Sequence, residues 1–187
     1  MEKIFYIKNM VCDRCKQVLR TEFNNASISF SKVDLGEVVV NITSEKELLI
    51  FKNIIITNGF EIASNETDLQ VEKMKELLQD RITIQTGFDV KISEYIATKL
   101  HKEYSVLSKM FSTNVGVTIE KYVIYLKIEK AKELIQMGQL SFSEIAYSLN
   151  YKSSSHLAKQ FKLLTGFSMT TYKTTKNWNR KTLDKIV

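Results

Sequence analysis

The chain has 187 residues, 44% of them hydrophobic and 26% charged, a length for one ordinary domain or two small ones and a composition close to the globular average. That excludes a large multidomain enzyme and a disordered chain, and the longest apolar runs, such as Val38–Val40 and Ile54–Ile56, fall far short of a bilayer span of about 18 residues. The net charge of +6 is lopsided, since residues 1–70 hold eight Lys/Arg against ten Asp/Glu, leaving nineteen against eleven of the totals of 27 and 21 to residues 71–187; an anionic partner is expected for that basic part.

Residues 1–9 show strand-like alternation from residue 3 and lack the basic and apolar stretches of a secretory leader, so a strand ending at Asn9 and a cytoplasmic location are expected. A helix follows over about Cys12–Phe23, with Cys15, Val18, Leu19 and Phe23 as its apolar face. Ile28–Val33 and the β-branched Val38–Ile42 flank Asp34-Leu35-Gly36-Glu37, which predicts a hairpin. Ser44 with Glu47 forms a capping box ahead of Leu48, Leu49 and Phe51, and Asn58-Gly59 closes that helix before Phe60-Glu61-Ile62. The order βαββαβ predicts a ferredoxin-like four-stranded sheet with both helices on one face.

From Leu69 onward the apolar periodicity is helical. Val71, Met74, Leu78 and Ile82 mark one helix, and Ile124, Ile128, Ala131 and Ile135 a longer one. The polar stretch Ser64–Asp68 is the expected boundary between domains at 1–66 and 67–187, which makes the fold class α+β: a ferredoxin-like domain, then an all-α one.

An offset of 50 residues exposes a duplication. Ser93-Glu94 matches Ser143-Glu144; Ser105, Leu107, Lys109 and Phe111 match Ser155, Leu157, Lys159 and Phe161; Gly116 matches Gly166 and Tyr122 matches Tyr172. Each copy reads as a short helix, a turn and a second helix, and Ser141 with Glu144 caps the start of the second copy. Leu157, Phe161 and Leu164 are predicted to face the core, leaving Ser154, Ser155, Ala158, Lys159 and Lys162 outside; Ser105, Ser108 and Lys109 provide the same surface in the first copy. Small, hydroxylic and basic side chains near a helix start suit entry into a major groove, so these seven Ser and Lys residues are the candidate DNA contacts. A helix from about Thr118 to Met137 spans about 30 Å, a spacer that can hold two such helices one DNA turn apart. The competing structural reading is an inert helical bundle with a solvated Lys face.

The region about 76–175 resembles the AraC/XylS family of bacterial transcription regulators. The resemblance lies in Leu107–Phe111 with Gly116, in Lys127–Ile135, in Ser143–Tyr151 and in Leu157–Gly166 leading to Tyr172. It implies a double helix-turn-helix that places two recognition helices in successive major grooves. The sequence departs from the family pattern at Asn150, where Gly is usual, at His156, Met169, Lys127 and Lys173. Asn tolerates the left-handed backbone that Gly supplies.

Cys12 and Cys15 stand at the start of the first helix, two thiols spaced to hold one soft ion, with Cu(I) favoured over Zn(II), which needs two further donors. Met10 is expected to pack inward. Residues 1–65 resemble the heavy-metal-associated domain of copper chaperones and metal-transporting ATPases through Met10-x-Cys12-x-x-Cys15, the βαββαβ order and Asn58-Gly59-Phe60; Asn9 replaces the usual Gly. Packed or idle cysteines and a redox pair are the alternatives. His101 and His156 fall at the turns and are expected to pack or face phosphate.

With no phosphate-cradling glycine loop, nucleophile elbow or carboxylate pair, no enzyme is expected. The expectation is a metal-responsive or partner-binding regulator whose partners are double-stranded DNA, with RNA polymerase and a second copy of the chain as further candidates, and no membrane. The rival is a metal-trafficking or storage protein whose helical half only docks to another protein.

Overall fold

The computed structural model describes residues 2–63, 65–84, 90–176, 178–182 and 186. They fall into two compact units, Met1–Glu76 and Leu77–Val187. The division lies inside a helix rather than in the polar stretch ahead of it; Ser64 itself is outside the described residues. No helix among the described residues is long and apolar enough to cross a membrane.

In the first unit β1 (Glu2–Lys8), α1 (Asp13–Asn25), β2 (Ser29–Asp34), β3 (Glu37–Asn41), α2 (Glu45–Thr57) and β4 (Glu61–Ile62) follow one another. The strands lie in the order β2-β3-β1-β4, each neighbouring pair antiparallel, from Glu2↔Asn41 to Tyr6↔Glu37 between β1 and β3 and with Ile7↔Ile62 between β1 and β4. The period of two turns Ile7, Val38 and Val40 into the core, while Ile4 and Tyr6 point away from it and stay exposed. Leu19 and Phe23 of α1 and Phe51, Ile54 and Ile55 of α2 fill the same core, and the rings of Phe5, Phe51, Phe23 and Phe30 form a chain with centroids 4.5–5.8 Å apart. Val18, expected on the apolar face of α1, is 40% exposed, because it sits one residue off the Leu19–Phe23 stripe. At α2 only half the expected capping box forms: Ser44 accepts from the Glu47 amide, but the Glu47 carboxylate reaches past it to the Thr43 amide at 2.8 Å and hydroxyl at 2.9 Å.

Helix α3 (Glu66–Ile84) buries Val71, Met74, Leu78 and Ile82. The second unit continues with α4 (Ile92–Leu100), α5 (Tyr104–Val115), α6 (Ile119–Met137), α7 (Phe142–Ser148), α8 (Ser154–Thr165) and α9 (Met169–Thr175). Its organising element is α6, which touches α5, α7, α8 and α9. Such central placement buries both sides of the helix, and so its buried set, which includes Tyr122, Val123, Leu126, Ile128, Ala131 and Ile135, follows no single stripe. Ile124, expected among them, is only half-buried. Two charged residues of α6 are buried as well: Lys132 pairs with Glu129 at 2.7 Å, and the segment after α9 completes the pair, Lys132 donating to the Asn179 carbonyl and the Lys181 amide donating to Glu129.

Candidate nucleic-acid interface

Helix pairs α4–α5 and α7–α8 are built on the same plan. In each, the second helix buries a Leu and a Phe one turn apart, Leu107 and Phe111 or Leu157 and Phe161. Each Phe meets a Tyr of the following helix edge to face, Phe111 with Tyr122 at 5.3 Å and Phe161 with Tyr172 at 5.4 Å. Each second helix ends on a glycine with φ +79°, Gly116 or Gly166, whose amide closes on Ser112 or Lys162; a side chain at that φ is strained. The next helix starts from a hydroxyl cap, Thr118 or Ser168.

The copies depart from one another at the turn, and this corrects part of the 50-residue match. The first helices superpose in register at an offset of 49, since fully buried Ile96 corresponds to Ile145, and the amides of Lys102 and Tyr151 close on the carbonyls of Ala97 and Ala146. Ser93-Glu94 and Ser143-Glu144 are therefore not structural equivalents, and the first copy has one turn residue fewer. The left-handed residue that leaves each first helix is His101 (φ 51°) or Asn150 (φ 53°), so Asn150 takes the conformation expected of it. The second turn carries Tyr151, which is buried, donates to Gln160 Oε1 at 2.8 Å, lies under the Lys127 ammonium at 5.1 Å and meets the ring of His156 edge-on. Burial holds the Tyr151 phenol above its ordinary pKa, and burial with the nearby Arg81 charge brings Lys127 down to about 8.

Helix starts differ too. Ser141 and Glu144 complete a reciprocal capping box on α7, at 2.7 and 3.3 Å, and Ser153 caps α8 by accepting from the His156 amide at 3.2 Å. The corresponding Glu103 makes no side-chain cap on α5; there Tyr104 instead donates to Glu120 at the start of α6, which keeps that carboxyl below its ordinary pKa while burial and the same bond push Tyr104 up to about 12.

The outward faces carry most of the expected DNA-contact residues. Ser105 and Lys109 on α5 and Ser155, Lys159 and Lys162 on α8 are exposed; Ser108 and Ser154 are half-buried, so Ser154 does not stand fully outside as expected. Leu164, expected in the core, is 39% exposed, because the core side of α8 is already filled by Leu157 and Phe161. Residue pattern alone also passed over Val106, 52% exposed beside Ser105 and Lys109. An isolated valine in a helix reads as core; only its position relative to Leu107 and Phe111 marks it as outward.

Cys12 caps α1 with extended backbone and is exposed, Cys15 is partly covered, and their sulfurs lie 3.7 Å apart. Burial, with the neighbouring Cys12 thiol acting the same way, raises the Cys15 pKa. Met10 is buried, as expected of it. Two soft donors at this spacing fit a two-coordinate ion, whereas no group of three or more His, Cys, Asp or Glu that could hold a metal occurs among the described residues.

Comparison with known proteins agrees with the helical geometry. Residues 96–175 match the model of a helix-turn-helix domain family. The chain is 26% identical over 102 residues to the Msm operon regulatory protein of Streptococcus mutans, covering 54% of this chain and 35% of that one, and 20% identical over 129 residues to the HTH-type transcriptional activator RhaS of Escherichia coli, covering 68% and 45%. It thus spans less than half the length of these two curated relatives, a regulatory protein and a transcriptional activator by name. Among solved structures, the C-terminal domain of the response regulator AraT of Geobacillus stearothermophilus aligns with TM-score 0.51 and 23% identity over 59% of this chain and 88% of that one. An AraC-type DNA-binding regulator of Chromobacterium violaceum aligns with TM-score 0.51 and 16% identity over 58% and 92%. Residues 96–175 thus match a helix-turn-helix domain, and the C-terminal part of this chain has the fold of the AraC-type DNA-binding domain.

Proposed function

We propose that the chain is a sequence-specific, DNA-binding transcription regulator that inserts α5 and α8 into successive major grooves on one face of a duplex. The observation that carries this reading is the pair of matching outward faces, Ser105 with Lys109 and Ser155 with Lys159, each backed by a buried Leu–Phe pair and an edge-to-face Tyr. Between them α6, nineteen residues or about 28 Å long, is a spacer on the scale of one DNA turn. Lys109, Lys159 and Lys162 meet phosphate or guanine, and the Ser hydroxyls, with Ser108 and Ser154 at the rim, bond base edges or phosphates. RNA polymerase and a second copy of the chain are partners of the same proposal, and the cytoplasm is its place.

In the first unit, the β2-β3-β1-β4 order with antiparallel neighbours supports a ferredoxin-like fold, and the 3.7 Å thiol pair supports a response to a soft metal such as Cu(I) held by Cys12 and Cys15. Affinity for DNA selected from random sequence, measured with and without Cu(I) and in the Cys12→Ser, Cys15→Ser double variant, tests both parts. A coupling of about 1–3 kcal/mol that vanishes in the double variant supports a metal-responsive regulator. Tight binding indifferent to metal keeps the regulator and removes the metal, and no selective DNA binding leaves a metal-trafficking or docking protein.

A further inference from the structure

We infer that the two copies read chemically different half-sites, with Val106 packing on the 5-methyl group of a thymine under α5 and His156 hydrogen-bonding a base edge under α8. The inference rests on the proposal that both helices enter DNA. The duplication supplies an internal control, because helix starts, buried Leu–Phe pairs and glycine ends of α5 and α8 correspond at a constant offset of 50. Within the first turn and a half, the positions exposed in both copies are Ser105, Val106 and Lys109 in one and Ser155, His156 and Lys159 in the other, while half-buried Ser108 corresponds to exposed Ala158. These Ser and Lys residues are identical, so they cannot make the two helices prefer different bases, and of the positions exposed in both copies the one that differs is valine against histidine. The N-terminal part of a recognition helix is the part that meets base edges.

Chemistry assigns the two partners. Val106 is 52% exposed, has no polar atom and lies between a hydroxyl and an ammonium, so it offers only an apolar contact; the one apolar group on a major-groove edge is the thymine methyl. Imidazole in the same place offers a ring nitrogen as donor or acceptor, and its own orientation is restricted by the Tyr151 ring at 5.3 Å, a neighbour the first copy lacks because Lys102 occupies that turn position.

The test uses the full chain and DNA selected from random sequence, with each thymine replaced in turn by deoxyuridine, a change that removes only the methyl group. Wild type is expected to lose about fourfold in affinity at one thymine in a single half-site, the worth of burying one methyl-sized group, about 0.8 kcal/mol. In Val106→Ala that sensitivity disappears, and in Val106→His the base selected at that position changes toward the one found under α8. Val106 is exposed, so both variants retain the fold, which thermal unfolding checks. A selected site whose affinity ignores every thymine methyl, or whose sensitive thymine stays equally sensitive in Val106→Ala, overturns this inference while leaving the regulator in place. Failure to select any sequence overturns both.

Discussion

In the first helix-turn-helix copy the chain leaves α4 through His101, Lys102 and Glu103; in the second it leaves α7 through Asn150, Tyr151, Lys152 and Ser153. With one extra residue the second turn buries an aromatic ring and starts α8 on a hydroxyl cap, whereas α5 starts on a carboxylate and ties its opening Tyr104 to Glu120. Cores, glycine ends and the Lys109–Lys159 correspondence are held in common, whereas Lys162 has Ser112 as its counterpart. What the difference teaches is that a duplicated fold tolerates change where the backbone meets solvent and resists it where two rings and a leucine fill one space, so the divergent turn and helix start are where the proposed difference in DNA contacts is to be tested.

The common part is tested by the largest effect. Phe111→Ala and Phe161→Ala each remove a fully buried ring and its edge-to-face contact with a Tyr, and each is expected to cost about 3–5 kcal/mol of stability in urea denaturation. Similar losses support equivalent cores; a loss confined to one copy breaks the comparison. The helix starts should separate the copies by less. Ser153→Ala removes a cap and should cost about 1 kcal/mol, while Glu103→Ala, which removes none, should change stability by less than about half of that. If α5 enters the groove as proposed, Glu103→Ser should also tighten DNA binding, because it deletes a carboxylate at the start of that helix.

Lys109→Ala and Lys159→Ala sharpen the comparison on the DNA side. If each meets a phosphate, the slope of log affinity against log salt should fall by about 0.9 in each variant, and by about twice that in the double variant. A base contact would instead relax the selected sequence at one position. The smallest effect concerns Lys127, which sits over the Tyr151 ring that only the second turn has. Its pKa of about 8 lies below the ordinary 10.5, so both folded and unfolded chains hold the proton below pH 8, where the buried charge costs stability; between the two values the unfolded chain binds more protons and stability rises with pH. Lys127→Met should flatten that rise between pH 7.5 and 10 in denaturation midpoints.

Much of this was legible in the residues, for a physical reason. Burial repeats with the backbone period, and so Leu107, Phe111, Leu157 and Phe161, the hairpin and the Ser141–Glu144 box can be read from spacing alone. The turn register was not legible, because Ser93-Glu94 and Ser143-Glu144 match in letters and the missing residue shows only when Ile96 and Ile145 are both found buried. Leu164 misled, and Val106 gave no signal, for one reason: one apolar letter does not say on which side of a helix it falls once α6 and two Leu–Phe pairs have filled the interior. At Cys12 and Cys15 spacing identifies two donors and their geometry supports proximity, but ligation depends on an ion that neither letters nor distances supply.

The central claim is that both copies engage one duplex together. Footprinting of the full chain on selected DNA measures it most directly. The account predicts two protected major-groove segments about one helical turn apart on the same face, with Lys109→Ala weakening protection of one and Lys159→Ala of the other. Protection of a single segment, sensitive to only one of these lysines, would contradict it.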